Sequence, residues 1–135
     1  MRKVIDFIPR YLPSVLVVLA ILYLTLVPKP LPDTDIKLFP HADKVVHAIM
    51  FGGAYLCFYI DTRKCVGRIT GKRIFFLMAV TVLFGGLIEI LQDAMGLGRG
   101  GDWLDFLADA AGVCLSAFMV NIFCGKEVGL KAGKH

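Results

Sequence analysis

The chain has 135 residues, of which 57% are hydrophobic, and its formal net charge is +4. Soluble domains contain about 45–50% apolar residues, so this composition excludes an ordinary soluble domain and indicates a membrane protein. Four apolar stretches occupy most of the length, which leaves no room for a separate soluble domain.

These stretches predict four helices. Each is close to the roughly 17–25 residues that a membrane-crossing helix needs. The first is expected to remain as a helix rather than to be removed as a secretory signal, because no small-residue cleavage site follows it. The predicted helices cover about 11–28, 43–60, 74–94 and 103–124. The sequence therefore predicts an all-α membrane protein, a single domain over 1–135 that forms a four-transmembrane-helix bundle.

Positive charges predict the orientation of this bundle. Lys and Arg are concentrated in the N-terminal tail, in the connection at 61–73 and in the C-terminal tail, whereas the connections at 28–44 and 96–103 contain few. Basic residues collect on the cytoplasmic side of membrane proteins, so both termini are expected to be cytoplasmic in a multi-pass protein of the cytoplasmic membrane. This topology accounts for the net charge without a nucleic-acid partner, and the basic connection is expected to contact anionic membrane lipids.

Polar residues that are unusual in a membrane cluster at one end of the predicted helices, the outer end in this topology. DKVVH begins the second helix, EILQD ends the third, and GRGGDWLDFLAD leads into the fourth; their polar members are Asp43, Lys44, His47, Glu89, Gln92, Asp93, Arg99, Asp102, Asp105 and Asp109. Spacings of three and four residues place the members of a motif on one helix face. Ionisable groups cost at least about 2.5 kcal/mol near the membrane centre and normally face one another. We therefore expect the three faces to line one pocket that is open to the outside.

Some of these residues also have a structural explanation. Asp102 can be the N-cap of the last helix with Asp105 as its capping-box partner, and Asp43 can cap the second helix. Glu89 lies near a helix C-terminus, where the helix dipole disfavours negative charge, so capping does not explain it. His47 alone would suit an interhelical hydrogen bond, but beside Asp43 and Glu89 it has the orienting carboxylate that a general base needs.

The charges of this cluster do not balance. Its six acids outnumber Lys44 and Arg99 by four charges, or by three if His47 is protonated. The surplus predicts a bound divalent cation, carboxylates that burial keeps protonated, or a cationic ligand. A metal site would use carboxylate oxygens together with His47, although the acids of the last motif also suit capping.

Taken together, the motifs resemble the VanZ-like family of small bacterial membrane proteins. The family pattern is Asp-Lys-x-x-His, then Glu-x-x-Gln, then Arg-x-x-Asp-x-x-Asp-x-x-x-Asn-x-x-Gly, and the resemblance covers about 12–124. The residues that fall on it are Asp43, Lys44, His47, Glu89, Gln92, Arg99, Asp102, Asp105 and Gly112. Asp109 departs from it, because the family often has Asn at that position. The resemblance implies a role in the bacterial cell envelope, since the family is named after a protein associated with teicoplanin resistance.

The pocket suits a lipid-linked cell-wall precursor or another polar-headed lipid of the outer leaflet. In an enzyme, we expect His47 and Glu89 to exchange protons and Asp105 to belong to the same catalytic group. Arg99 would hold a phosphate or carboxylate group. Together with Arg99, the expected substrate-binding residues are Asp43, Lys44, Gln92, Asp102 and Asp109.

Two other function classes remain open at this point. The same pocket can belong to a non-catalytic protein that binds an envelope lipid, a glycopeptide or a partner membrane protein. Alternatively, the chain can be part of an ion-coupled transporter, although four helices enclose little space. Transport would need a homo-oligomer, for which Gly52-Gly53 and Gly85-Gly86 offer close-packing positions.

Overall fold

The computed structural model describes residues 2–27, 39–96 and 102–131, with only the backbone described at 2–9 and 125–131. The described chain is all-helical, as predicted. Its helices are α1 (Arg2–Leu26), α2 (Ala42–Val66), α3 (Gly71–Met95) and α4 (Trp103–Lys131). Most of them extend beyond the apolar stretches, because polar residues at the ends continue the helix without adding to its hydrophobic pattern. In α2 the added turns contain Arg63 and Lys64, which the dipole favours at a helix C-terminus.

Three helices are long and apolar enough to cross a membrane, namely α2, α3 and the Trp103–Cys124 part of α4. The apolar part of α1, Arg10–Leu26, is shorter. Large apolar side chains are exposed along the sides of the bundle, with exposed fractions of 72% at Leu83 and 73% at Phe75. Extensive exposed apolar surface is rare in soluble monomers, so these helices indicate a membrane protein.

Contacts between helix ends establish the direction of each helix. Lys44 at the start of α2 contacts Asp105 at the start of α4, so these two helices run in the same direction. Gln92 near the end of α3 contacts Thr25 near the end of α1, so α1 and α3 are also parallel to each other. His47 in the second turn of α2 lies 3.9 Å from Glu89 near the end of α3, so the start of one pair lies beside the end of the other. The ends of α1 and α3 and the starts of α2 and α4 therefore form one end of the bundle, which we call the polar end.

The closest approach in the bundle is between the backbones of α2 and α4. Gly112 lies against the carbonyl oxygen of Ala48, so close that a Cβ at position 112 would overlap that oxygen. One turn further along α2, a Cβ at Gly52 would lie 2.8 Å from the Oγ of Ser116. Small residues permit such contacts between membrane helices. The polar groups on the first turns of α2 and α4 are thereby brought within hydrogen-bonding distance.

Below the polar end, the interior is apolar and aromatic. The buried core consists of Ile21, Phe51, Ala54, Tyr55, Tyr59, Ile88, Val113 and Ala117. Phe51 is fully buried, and its ring centroid lies 5.8 Å from that of Phe84 in α3. The same ring lies nearly parallel to the imidazole of His47, with centroids 6.4 Å apart. The polar cluster therefore has an apolar floor.

The opposite end, which we call the basic end, contains Arg63, Lys64, Arg68, Lys72 and Arg73. It also contains a buried carboxylate that the sequence pattern assigned to a connection. Asp61 lies inside α2, and its Oδ2 accepts hydrogen bonds from the backbone N–H and the hydroxyl of Ser14, at 3.0 and 2.6 Å. Ser14 follows Pro13, and proline inside a helix disturbs the backbone hydrogen bonds around it. Asp61 therefore stabilises α1 at a proline, and the predicted end of the second helix at residue 60 is wrong.

Candidate functional site

Lys44 joins the first turns of α2 and α4. Its Nζ donates to Oδ2 of Asp102 and to Oδ1 of Asp105, both at 2.9 Å. We refer to these three residues as the lysine layer. Asp43 is more distant, with its Oδ2 3.6 Å from the same nitrogen. The helix faces thus converge as the spacing predicts, and the substrate-binding roles of these residues remain predictions.

His47 lies one turn deeper, between two carboxylates. Its Nδ1 is 3.0 Å from Oδ1 of Asp109 and 3.9 Å from Oε1 of Glu89. We refer to His47, Glu89 and Asp109 as the histidine layer; their side chains are 12%, 10% and 0% exposed. The predicted orienting carboxylates were those of Asp43 and Glu89, but the Asp43 carboxylate is 63% exposed and the Glu89 oxygen is farther from Nδ1 than that of Asp109. Water solvates an exposed carboxylate, whereas the buried Asp109 needs a protein partner, so Asp109 is the carboxylate that contacts the imidazole.

Glu89 connects the histidine layer to the start of α4. Its Oε2 accepts the backbone N–H of Asp102 at 3.0 Å. Asp102 caps α4 in turn, because its Oδ1 accepts the N–H of Leu104 at 2.9 Å. The predicted N-cap is therefore confirmed. The predicted capping-box partner is wrong: Glu89 takes the N–H that Asp105 would have accepted, and Asp105 binds Lys44 instead.

The start of α2 differs from the prediction as well. The N-cap residue is His41, which has a left-handed backbone with φ of 66° and makes no side-chain capping bond. Asp43 lies in the first turn of the helix, where the dipole favours an acid, so its predicted capping role is wrong. Its exposed carboxylate lies at the rim of the lysine layer.

Two further predicted substrate-binding residues stand apart from these layers. The amide nitrogen of Gln92 donates to the backbone carbonyl of Thr25 at 2.8 Å, and both residues are buried. Carbonyls in the last turn of a helix have no partner within that helix. Gln92 therefore provides the hydrogen-bond donor for the Thr25 carbonyl at the end of α1. Arg99 lies outside the described residues, and its anion-binding role remains a prediction.

The two layers differ in how their charges are compensated. In the lysine layer, the Leu104 N–H and the Lys44 ammonium lower the pKa of the Asp102 carboxyl below its ordinary value, because both stabilise its ionised form. In the histidine layer, Glu89 Oε1 and Asp109 Oδ2 are buried, and neither has a hydrogen-bond partner in the described part of the chain. Two of the acids that make up the predicted surplus therefore lie in the deeper layer, each with one unpartnered oxygen.

A groove between α3 and α4 opens at the surface beside the site. It has a volume of about 220 Å³ and is lined by Gly86, Glu89, Ile90, Asp93, Asp102, Trp103 and Phe106. Its wall is apolar at Ile90 and Trp103, which are 67% and 81% exposed, and polar at the acids. Gly86 keeps the groove open above the Phe106 ring, which a Cβ at position 86 would approach to 3.2 Å. The groove thus joins the apolar outer surface to Glu89.

The histidine layer also has the donor atoms of a metal site. His47, Glu89 and Asp109 each offer one ligand atom, and these atoms lie within 4.8 Å of one another. A glycine makes room for this arrangement, because a Cβ at Gly85 of α3 would lie 2.8 Å from Oδ2 of Asp109. The sequence did not indicate that Gly85 leaves room for Asp109, because that depends on how closely α3 approaches α4.

The groove and the Asp61 contact were also missed by sequence reasoning. In the sequence, Phe106 and Ile90 look like ordinary apolar residues on the outer face of a helix. Their spacing does not show that they line a groove. For Asp61, the available signal was an acid directly after the second apolar stretch together with a proline, Pro13, in the first. In comparisons with known proteins, no family model, no curated protein and no solved structure matches the chain.

Proposed function

We propose that the chain is a four-pass protein of the bacterial cytoplasmic membrane that binds a polar-headed envelope lipid at its polar end. The length of α1 supports the fourth crossing, because its 25 residues span about 37 Å at 1.5 Å per residue, more than the roughly 30 Å hydrocarbon core. The basic end supports an orientation with both termini in the cytoplasm. The polar end then faces outward.

The groove between α3 and α4 is the observation that carries this proposal. An exposed apolar wall at Ile90 and Trp103 continues into acids at Glu89, Asp93 and Asp102, which is the polarity that a lipid chain and its headgroup require. Its volume of about 220 Å³ is below the roughly 300–1,000 Å³ of pockets that enclose a drug-sized ligand. The groove therefore suits part of a lipid that lies along the protein surface.

The resemblance to the VanZ-like family supports a cell-envelope lipid, such as a lipid-linked cell-wall precursor. Such headgroups have hydroxyl and amide donors for Glu89 and Asp102, and a phosphate for Arg99. Lys44 is an additional cation at the rim, because its side chain is 20% exposed. The apolar floor at Phe51 supports binding over ion transport, since it ends the polar cluster below His47.

The fluorescence of Trp103 tests this proposal directly, because Trp103 is the only tryptophan in the chain and lines the groove. The protein is placed in phosphatidylcholine nanodiscs and titrated with lipids that have brominated chains and different headgroups. A lipid that binds in the groove quenches Trp103 in a saturable manner at low mole fraction. Surrounding bulk lipid quenches in proportion to its mole fraction. Linear quenching by every headgroup, the polyprenyl-phosphate-linked sugar included, would contradict the proposal.

A pair of glycine substitutions provides the matched control. Gly86→Leu places a side chain in the groove, whereas Gly53→Leu adds the same side chain where nothing lies within 4 Å of a Cβ. Gly86→Leu is expected to remove the saturable quenching and to keep the linear part, and Gly53→Leu to keep both. Thermal unfolding of both variants checks that they are folded. Saturable quenching that survives in folded Gly86→Leu would place the lipid elsewhere.

A second candidate function, acid–base catalysis on the headgroup, is favoured by the contact of 3.0 Å between His47 and Asp109. An imidazole oriented by a carboxylate can accept a proton from a hydroxyl group or water. Mass spectrometry of the lipid after incubation with the protein tests it. A product formed by the wild type but not by His47→Gln, at unchanged Trp103 quenching, supports catalysis by this residue. An unchanged lipid supports the binding function alone.

A further inference from the structure

We propose that His47, Glu89 and Asp109 bind one divalent transition-metal ion, and that Zn²⁺ fits them best. This inference goes beyond lipid binding; of its three residues, only Glu89 also lines the groove. The three residues come from three helices, α2, α3 and α4, and their ligand atoms lie within 4.8 Å of one another. An ion at this position would hold the polar ends of all three helices together.

The distances in the histidine layer agree with coordination by a single ion. With bonds of about 2.0–2.1 Å, two ligand atoms on a tetrahedral Zn²⁺ lie roughly 3.3 Å apart. The Nδ1 of His47 lies 3.0 Å from Asp109 Oδ1 and 3.9 Å from Glu89 Oε1, on either side of that value. All three pairs of ligand atoms lie within 4.8 Å, so side-chain shifts of at most about 1.5 Å bring them to the spacing that Zn²⁺ requires.

Unpartnered buried oxygens provide an independent argument. As whole residues, Glu89 and Asp109 are 8% and 0% exposed, and one carboxylate oxygen of each, Oε1 and Oδ2, has no hydrogen-bond partner among the described residues. A buried polar atom without a hydrogen-bond partner destabilises the fold, and a charged one does so more strongly. The Oε1 of Glu89 faces His47, so a cation between them would give it a partner.

The surroundings resemble the outer shell of a metal site. Ligating carboxylates are usually held by hydrogen bonds, and the second nitrogen of a ligating imidazole usually faces a carboxylate or carbonyl. Here Glu89 Oε2 accepts the backbone N–H of Asp102, which orients Oε1. The Nε2 of His47 lies 4.0 Å from Oδ2 of Asp105, and Lys44 holds Asp105 in place. Neighbouring residues therefore support the orientations of both the Glu89 carboxylate and the His47 imidazole.

Charge and donor chemistry point to a transition metal. Two carboxylates and a neutral imidazole carry two negative charges, which a divalent ion neutralises, while the Lys44 ammonium is bound by Asp102 and Asp105. An imidazole nitrogen suits Zn²⁺ and its neighbours in the first transition row. Mg²⁺ and Ca²⁺ prefer oxygen ligands alone, and Ca²⁺ needs six to eight of them. Three protein ligands leave a fourth position, as in catalytic zinc sites.

The test is a Zn²⁺ titration of the full-length protein in detergent after treatment with a chelator, followed by isothermal calorimetry. Saturable binding of one Zn²⁺ per chain is expected. The ligand variants Glu89→Gln and Asp109→Asn should lose it. Asp105→Asn, which changes only the outer shell, should weaken it by about 10–100-fold. The control Asp43→Asn removes an acid that is 63% exposed at the rim and should leave the affinity unchanged.

Several results would overturn the proposal. They are the absence of saturable Zn²⁺ binding by the wild type, retention of full affinity by both ligand variants, and an equal loss in Asp43→Asn. Each variant is compared only after a cooperative thermal transition shows that it is folded, and the wild-type titration decides the question if the ligand variants do not fold. Co²⁺ provides a second measurement, because its visible absorption reports a four-coordinate site with nitrogen and oxygen ligands. Trp103 quenching by lipid in the chelator-treated protein separates failure of this site from failure of lipid binding.

Discussion

Substitution of Gly112 by alanine is expected to separate α2 from α4 and to weaken both layers of the site. The new Cβ would overlap the carbonyl oxygen of Ala48, which belongs to a helix backbone and cannot rotate away. The helices must then move apart by about 1 Å to restore ordinary contact distances. Such a shift would lengthen the Lys44–Asp105 contact of 2.9 Å beyond the hydrogen-bond range, which ends near 3.2 Å.

The size of the effect follows from two opposing contributions. Overpacking of a well-packed interface costs about 1–3 kcal/mol, whereas replacing a helical glycine by alanine returns up to about 1 kcal/mol of helix propensity. Gly53→Ala is the matched control, because a Cβ there has nothing within 4 Å and gains the propensity alone. The free energies of unfolding of the two variants are therefore expected to differ by the overpacking cost, about 1–3 kcal/mol.

Two measurements check this expectation. Unfolding by sodium dodecyl sulfate in mixed micelles, followed by circular dichroism, gives the free energies of both variants. Acylation of the Lys44 amine, followed by mass spectrometry, reports whether its carboxylate contacts persist, because a free amine reacts faster. Equal stability of the two variants would refute the backbone contact. A lower stability of Gly112→Ala with unchanged Lys44 reactivity would refute the idea that this contact positions the site.

Three further substitutions test individual contacts. Gln92→Leu leaves the Thr25 carbonyl without its donor, so we expect a loss of about 1–3 kcal/mol in the free energy of unfolding with unchanged lipid quenching; lost quenching at unchanged stability would instead support a substrate-binding role. Asp61→Ala removes both bonds to Ser14 and should lower the melting temperature more than Ser14→Ala, which keeps the backbone bond; equal losses would contradict this. Because the pKa of Asp102 is lowered in the fold, its contribution to stability is present above its ordinary pKa of about 3.9 and is lost as the pH falls through the lowered value. Asp102→Asn should therefore be less stable than the wild type at pH 7 and lose less stability below pH 4, and parallel pH profiles would argue against the contact.

The parts of the site that were predictable depend on local information. Four apolar stretches gave four helices, because the length of an apolar run is visible in the sequence. The spacing of Asp102, Asp105 and Asp109 predicted one face of α4, and the structure places all three toward α2. Helical periodicity is sufficient for such an assignment, since it needs no knowledge of the neighbouring helix.

The parts that were not predictable depend on how the helices approach one another. Asp43 and Glu89 were the carboxylates expected to orient His47, whereas the structure places Asp109 closest to it; that contact depends on the close approach at Gly112, which no spacing within one helix encodes. Gln92 shares a helix face with Glu89, yet its amide donates a hydrogen bond to Thr25, because the end of α1 lies beside Gln92. Asp61 was assigned to a connection because charged residues follow it, although its partner lies in another helix.

The two polar attachments of α1 bear on how the bundle is assembled. Ser14 binds Asp61 and Thr25 binds Gln92, and these attachments are about 16 Å apart along the helix axis at 1.5 Å per residue. Apolar contacts are non-directional, so on their own they favour no particular rotation or axial position of α1. Synthesis proceeds from the N-terminus, and Gln92 is made only after two more helices have begun. The contact between Thr25 and Gln92 therefore becomes available to α1 only after α2 and most of α3 have been synthesised.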